Sequence, residues 1–340
     1  MKVNFLLFGL VGCAGLLPTA VTAASFTEIY AFGDSLLDTG NLFEATSGPL
    51  PPGAPPPSQV PFPGPPYPNT PYFEGRFSNG PVWIEYLAPG LGLTPNPDTN
   101  FAFGGATSGF DHVQFDGIPG LRGQVEAFTS AVPMTDPDAL YVIASGANDY
   151  SPFELNLFTA TPATIAAQID TTVNHISTSI VELAAAGAVS FAVLTVPDLG
   201  TTPSGSVVPG LLSGISQAHN AALQSSIDAL SASLALDITL LDLDVPLGQA
   251  IADPAAFGLT NVTDACFDLA TLTTCTNPDE YLFWDFTHPS AVSHQAIAAY
   301  ALSELHPTHV PEPATTIGLL ALGAFGAKRW RRRHHQERSN

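Results

Sequence analysis

Positive charge is what this chain has least of. Of nine Lys and Arg in 340 residues, only Arg76 and Arg122 lie between residues 25 and 310. The same span holds 28 of the 30 Asp and Glu residues, which leaves it a formal −26. That balance argues against nucleic acid or an anionic membrane as a partner, since both need cations to meet their phosphates. It suits a secreted protein whose copies repel one another. The carboxylates are not spaced as in an EF-hand, so no calcium loop is expected. Cysteine is scarce too: Cys13, Cys266 and Cys275. Two late cysteines with no nearby histidine pair do not make a zinc site. The Gly-x-Ser-x-Gly elbow of α/β-hydrolases occurs nowhere.

The ends of the chain carry export signals. Lys2, the apolar stretch Phe5–Leu17 and Val21-Thr22-Ala23 before Ala24 read as a secretory signal peptide over residues 1–24. Leu10-Val11-Gly12-Cys13 offers a lipoprotein processing site as the minor alternative. At the other end, Val310-Pro311-Glu312-Pro313 precedes the apolar run Ile317–Ala327 and the basic cluster Lys328-Arg329-Trp330-Arg331-Arg332-Arg333. The run falls short of the ~20 residues a spanning helix needs, and the basic cluster would stay cytoplasmic. This three-part tail, residues 311–340, resembles the PEP-CTERM sorting signal of Gram-negative bacteria. The resemblance implies recognition by an exosortase, cleavage near Pro311-Glu312-Pro313, only transient contact with the membrane, and delivery to the cell surface or extracellular matrix. A short tail anchor is the alternative.

Residues 25–310 have the length of one domain. Cys13 leaves with the signal peptide. Cys266 and Cys275 then remain in a loop segment of an exported protein, where a disulfide is expected. Such a link would brace the segment leading into Asp285. Residues 49–71 hold twelve prolines in twenty-three positions. Proline lacks the amide donor and fixes φ, so this stretch forms neither helix nor sheet. It is read either as a wall of a cleft or as a surface insertion.

Elsewhere short apolar runs alternate with amphipathic segments. Strands are expected at Glu28–Phe32, Asn100–Phe103, Ala139–Ala144, Ser190–Val196 and Ile238–Leu243. Helices are expected at Val82–Leu87, Leu121–Ala131, Pro162–Ala186, Leu211–Leu234 and Ser290–Leu305. Continuous apolar strands between helices indicate a parallel sheet covered on both faces. The fold class is therefore α/β, a three-layer αβα sandwich with a central, mainly parallel five-stranded sheet. Loops at the carboxyl ends of such strands form the active site.

Three of those loops carry chemistry. Ser35 follows the first strand in Gly33-Asp34-Ser35. Gly104-Gly105 follows the second, and Gly146-Ala147-Asn148-Asp149 the third. Asp285-Phe286-Thr287-His288 precedes the last helix and can fold back over the same edge. A serine needs a base to take its proton and a carboxylate to orient that base. Ser35, His288 and Asp285 supply the three groups. Glycine at 105 lets a backbone N–H approach a reacting carbonyl, and Asn148 and the Ser35 amide offer further oxyanion donors. Each motif alone is an ordinary turn or helix start. Their shared order at successive strand ends is what points to catalysis.

These residues resemble the GDSL lipase/esterase family of the SGNH hydrolase superfamily. The match spans the mature domain, through Gly33–Asn41, Asn100–Ala106, Gly146–Asp149 and Asp285–Pro289. Gly75–Gly80 and Val196–Gly200 add likeness to its plant-type and secreted bacterial branches. The resemblance implies an SGNH hydrolase, a flavodoxin-like sandwich. It also implies Ser35 as nucleophile, Gly105 and Asn148 as oxyanion donors, and Asp285 and His288 completing the triad. Carboxylic esters are the implied substrates (lipid, short-chain ester or acylated polysaccharide), cleaved through an acyl-serine without metal or cofactor. An acyltransferase would use the same triad. A matrix-binding protein on an inactive hydrolase fold is the reading of a different class. Of the remaining histidines, His294 is expected on the surface or in packing, and Arg76 in a structural ion pair.

Overall fold

The computed structural model describes residues 26–49, 62, 65–151 and 159–305. Residues 1–24, read above as a signal peptide, most of the proline-rich stretch and the sorting tail lie outside them.

Four parallel strands form the central sheet: β1 (Ile29–Gly33), β2 (Leu140–Ala144), β3 (Ser190–Leu194) and β4 (Asp237–Leu241), side by side in that order. Their side chains alternate between two cores, as the period of two requires. Ile29, Ala31, Leu140, Val142, Ala144, Ala192 and Leu194 face one side. There they meet α2 (Trp83–Gly90), α6 (Asp244–Ala252) and α7 (Ala291–Leu305). Phe32, Tyr141, Ile143, Phe191 and Val193 face the other. They pack on α3 (Leu121–Ala131), α4 (Pro162–Ala186) and α5 (Pro209–Leu234). With every residue of β2 buried, this is the doubly covered sheet that its unbroken apolar sequence predicts.

Pro162 at the first helical position and Thr161 as its cap start α4, and Gly187 ends it in the left-handed region. The expected helices all form, with α2, α5 and α7 shifted by one to three residues at one or both ends. Two helices were not foreseen: α6 and the five-residue α1 (Asn41–Ala45).

The fifth expected strand is reduced to a bridge. Residues 100–103 lie parallel to β1, with Phe101 N–H donating to Ala31 O and Phe103 N–H to Gly33 O. The return bond is diverted. Gly33 N–H donates to Gln124 Oε1 at 2.7 Å, and Gln124 Nε2 donates back to Gly33 O at 2.9 Å. On the outer edge, Asn41 Nδ2 covers the carbonyls of Asn100 and Ala102. Gln124 thus takes the place of a ladder bond on one side, and Asn41 closes the sheet edge on the other. Counting this segment, the spatial order is 2-1-3-4-5, the flavodoxin-like arrangement whose switch point falls beside the first strand.

Beyond β4 the chain leaves the sheet. β5 (Asn261–Ala265) pairs with β8 (Tyr281–Phe283), and β6 (Phe267–Asp268) with β7 (Thr273–Thr274). A disulfide joins Cys266 to Cys275. Cys266 N–H donates to Phe283 O and Phe267 N–H to Trp284 O, so the linked hairpin lies against the residues just before Asp285.

Candidate active site

Ser35 stands in a tight turn directly after β1. Leu37 and Asp38 both return their N–H to Asp34 O, and the Asp34 carboxylate accepts Leu36 N–H at 3.1 Å. This Asx turn fixes the serine at the carboxyl edge of the sheet. From 253 residues away, His288 Nε2 lies 2.9 Å from Ser35 Oγ. Its Nδ1 lies 2.8 Å from Asp285 Oδ2 and 3.0 Å from Oδ1. Asp285 Oδ1 also accepts the backbone N–H groups of Thr287 and His288, each at 2.8 Å. The loop is pinned by Trp284 N–H to His288 O, and by Ser204 N–H to Phe286 O. Ser35 is 9%, His288 7% and Asp285 0% exposed.

The expected glycine and asparagine sit where strand order puts them. The Gly104 amide is committed to Asp38 Oδ2 at 2.7 Å, whereas that of Gly105 donates to no group among the described residues. Gly105 has φ +83°, and a Cβ there would stand 2.7 Å from the His112 ring. Next to it, a Cβ on Gly104 would run into Phe77 at 1.9 Å. The pair therefore admits only glycine. Asn148 Nδ2 gives one hydrogen to Ala106 O at 2.9 Å, which orients the amide and leaves its second hydrogen free to donate.

Several supporting residues escaped sequence reasoning. Tyr72 Oη donates to Asp285 Oδ2 at 2.6 Å. Asp149 is held by Ser108 N–H at 2.9 Å, by Ser108 Oγ, and by Thr172 Oγ1 at 3.1 Å, and it carries Asn148 beside it. His175 Nδ1 reaches Ser108 Oγ at 3.0 Å. Nothing near Tyr72 in the sequence marks it, because it follows the proline-rich stretch. Gln124 did leave a trace: it is a polar residue on the apolar face of α3, between Leu121, Val125 and Phe128. His294 is wholly buried, accepting Trp83 N–H on Nδ1, so packing rather than surface describes it. Arg76 pairs with Glu85 at 2.8 Å, a structural pairing as expected.

Burial dominates the electrostatics. It pushes the Asp34 carboxyl up to about 7, against the Leu36 amide and the His288 charge. It also pushes Asp38 up to about 6 despite four backbone amides. For Asp285 burial acts upward as well, but His288 and the bonds from His288 and Tyr72 outweigh it and hold the carboxyl low. His112 is lowered to about 4 and His294 to about 3, both chiefly by burial. A histidine that touches a serine hydroxyl can accept that hydroxyl's proton, and an ionised Asp285 behind it stabilises the imidazolium formed.

Aromatic rings flank His288. Phe77 lies 4.9 Å and Phe62 6.0 Å from its ring centre, and Phe62 stacks on Phe286 at 5.8 Å. Phe62, from the proline-rich stretch, thus lies beside the site. A separate cavity of about 250 Å³ opens between Glu28, Ile29, Arg76, Glu85 and Asn96. It holds none of the residues that converge on Ser35.

A family model described as GDSL-like lipase/acylhydrolase matches residues 29–301, and a PEP-CTERM protein-sorting motif matches residues 309–333. The chain is 29% identical over 267 residues to phosphatidylcholine-sterol acyltransferase of Aeromonas hydrophila, covering 74% of this chain and 70% of that protein. It is 26% identical to thermolabile hemolysin of Vibrio parahaemolyticus, covering 82% and 64%. With a GDSL esterase/lipase of Arabidopsis thaliana it shares 27% identity, covering 81% and 88%. Among solved structures, an aryl esterase of M. Smegmatis covers 82% of this chain and 98% of its own at TM-score 0.40 and 16% identity.

Proposed function

Because this chain belongs to the GDSL-like lipase/acylhydrolase family, we propose that it is an exported serine esterase or lipase that hydrolyses carboxylic esters through an acyl-serine. The observation that carries the reading is the continuous path Ser35 Oγ–His288 Nε2 and His288 Nδ1–Asp285, 2.9 and 2.8 Å long. His288 takes the Ser35 proton as Oγ attacks the ester carbonyl carbon. The negative oxygen of the tetrahedral intermediate is met by the N–H groups of Ser35 and Gly105 and by Asn148 Nδ2. Asp285 holds Nδ1–H and balances the imidazolium. The intermediate collapses, the C–O bond to the alcohol breaks, and His288 returns the proton to the departing alcohol. Water, deprotonated by the same histidine, then cleaves the acyl-serine and restores Ser35.

Hydrolysis of p-nitrophenyl esters by wild type and by Ser35→Ala tests this reading, with fluorophosphonate labelling as the independent readout. Wild type should turn over and label, and the variant should do neither. Equal rates would sink it. Folded protein that does not label would favour a matrix-binding role instead. Similarity to an acyltransferase supports a second outcome, in which an alcohol replaces water in the last step. Adding an acceptor alcohol and analysing products separates the two.

The exported location rests on the sorting motif. We read residues 1–24 as a signal peptide, 25–310 as the catalytic domain and 311–340 as the tail that an exosortase processes at the surface of a Gram-negative cell.

A further inference from the structure

The two cations of the mature span are both taken. Arg76 Nη2 is 2.8 Å from Glu85 and Nη1 2.8 Å from Glu74 O. Arg122 pairs with Glu182 and lies over the Phe110 ring at 5.3 Å. Around the nucleophile stand four buried carboxylates, Asp34, Asp38, Asp149 and Asp285, each at most 4% exposed. Their partners are N–H and O–H donors, and the one ionisable base bonded to any of them is His288. Asp34 and Asp38 share one turn, Asp38 N–H donating to Asp34 O, and Asp285 reaches the Ser35 in that turn through His288. Beside it, the rings of Phe77, Phe62 and Phe286 lie 4.9, 6.0 and 6.4 Å from that of His288.

We infer that the enzyme selects esters by the charge of their alcohol portion, preferring a cationic, quaternary-ammonium alcohol over a neutral one and rejecting an anionic one. This rests on the serine-hydrolase reading and adds the substrate class to it. A carboxylate, sulfate or phosphate brought beside Ser35 would lose its water without gaining a cation, which is costly. A quaternary ammonium meets the opposite conditions. The formal −26 of the domain draws it in, and the electron-rich faces of aromatic rings attract it once it has arrived. The first effect is long-ranged and yields to salt, and the second is a contact and does not. The two contributions are therefore separable by ionic strength.

The experiment compares three butyrate esters on the intact domain: butyrylcholine, its neutral carbon isostere 3,3-dimethylbutyl butyrate, and the anionic 4-(butyryloxy)butyrate. At low ionic strength kcat/KM should fall from cationic to neutral to anionic, with about tenfold or more between the extremes, the lower end of what steering achieves. At about 0.5 M NaCl, where the screening length is only a few ångström, the anionic ester should recover several-fold while butyrylcholine keeps a smaller lead over the isostere. An anionic ester cleaved as well as the cationic one at low salt would overturn the inference. So would a cationic lead that salt leaves wholly unchanged together with an anionic rate that salt does not raise. If none of the three is cleaved and Ser35 does not label with fluorophosphonate, the hydrolase reading itself fails. If neutral esters are cleaved in a Ser35-dependent way but without charge order, only the selectivity fails.

Discussion

Tyr72 Oη and His288 Nδ1 share one oxygen: both lie within hydrogen-bonding distance of Asp285 Oδ2, at 2.6 and 2.8 Å. Tyr72 is 5% exposed and sits among Phe267, Trp284 and Phe77, with its own ionisation pushed up by burial and by Asp285. It therefore stays a donor. Hydrogen bonds to a buried charge contribute about 1.5–3 kcal/mol.

Replacing Tyr72 with Phe removes that donor and keeps the ring. The carboxylate then concentrates its charge on His288, which becomes more basic. The acid limb of the kcat/KM profile should move to higher pH, with a rate loss of about tenfold as Asp285 loses an anchor. A merely packing role would lower stability and leave the limb in place, so the pH–rate profile decides.

Asn148 and Gly105 are argued to act only on the developing oxyanion. Asn148→Ala should therefore lower kcat by about 10²–10³ with little change in KM. Gly105→Ala should do similar damage through the backbone, since φ +83° and the His112 ring both oppose a Cβ. Steady-state kinetics on an ester with its Ser35→Ala background subtracted checks this. A rise in KM at constant kcat would move Asn148 from the transition state to ground-state binding.

Sequence patterning carries far in this protein because its signals are local. Unbroken apolar runs at 140–144 and 191–194, too short for helices, form buried strands, and α3 and α4 begin and end where the sequence puts them. Ser35, Asp285 and His288 announce themselves by residue type and by lying at strand ends. Tyr72 and Asp285 meet across 213 residues, and no periodicity encodes such a contact. The missing fifth strand has the same origin. Asn100–Phe103 is strand-like in itself, but Gln124, from α3, claims the Gly33 N–H that a ladder with β1 needs, and Asn41, from α1, covers its outer carbonyls. Side chains competing for main-chain donors are a tertiary event.

The Cys266–Cys275 link closes a short loop whose backbone is bonded to Phe283 and Trp284. Closing a loop of this length is worth about 2–3 kcal/mol in the chain-entropy model. The double substitution Cys266→Ser and Cys275→Ser should lower the thermal midpoint. It should also expose 266–275 to protease before the rest of the domain, with activity falling at the temperature of that local opening. Activity loss that tracks only global unfolding would show the hairpin not to support Asp285.

Asp34 and Asp38 set an unusual slope of stability against pH. Their folded-state carboxyls are raised to about 7 and about 6 by burial, above the values of an unfolded chain. Between pH 4 and 7 the folded state thus binds more protons than the unfolded one. The stability they contribute is fully present near pH 4 and is lost as pH rises through 6 and 7. Asp285, held low, acts oppositely, but only below the ordinary carboxylate range. Lowering the pH from 8 to 5 should therefore raise the thermal midpoint, each extra bound proton being worth up to about 1.4 kcal/mol per pH unit. Relief of repulsion among the exposed acids gives a slope of the same sign, so the variant is what separates them. Asp34→Asn keeps an acceptor for the Leu36 amide and removes the titration. It should flatten the slope between pH 5 and 7, and a slope equal to that of wild type would remove Asp34 from the effect and leave it to Asp38 and the surface acids.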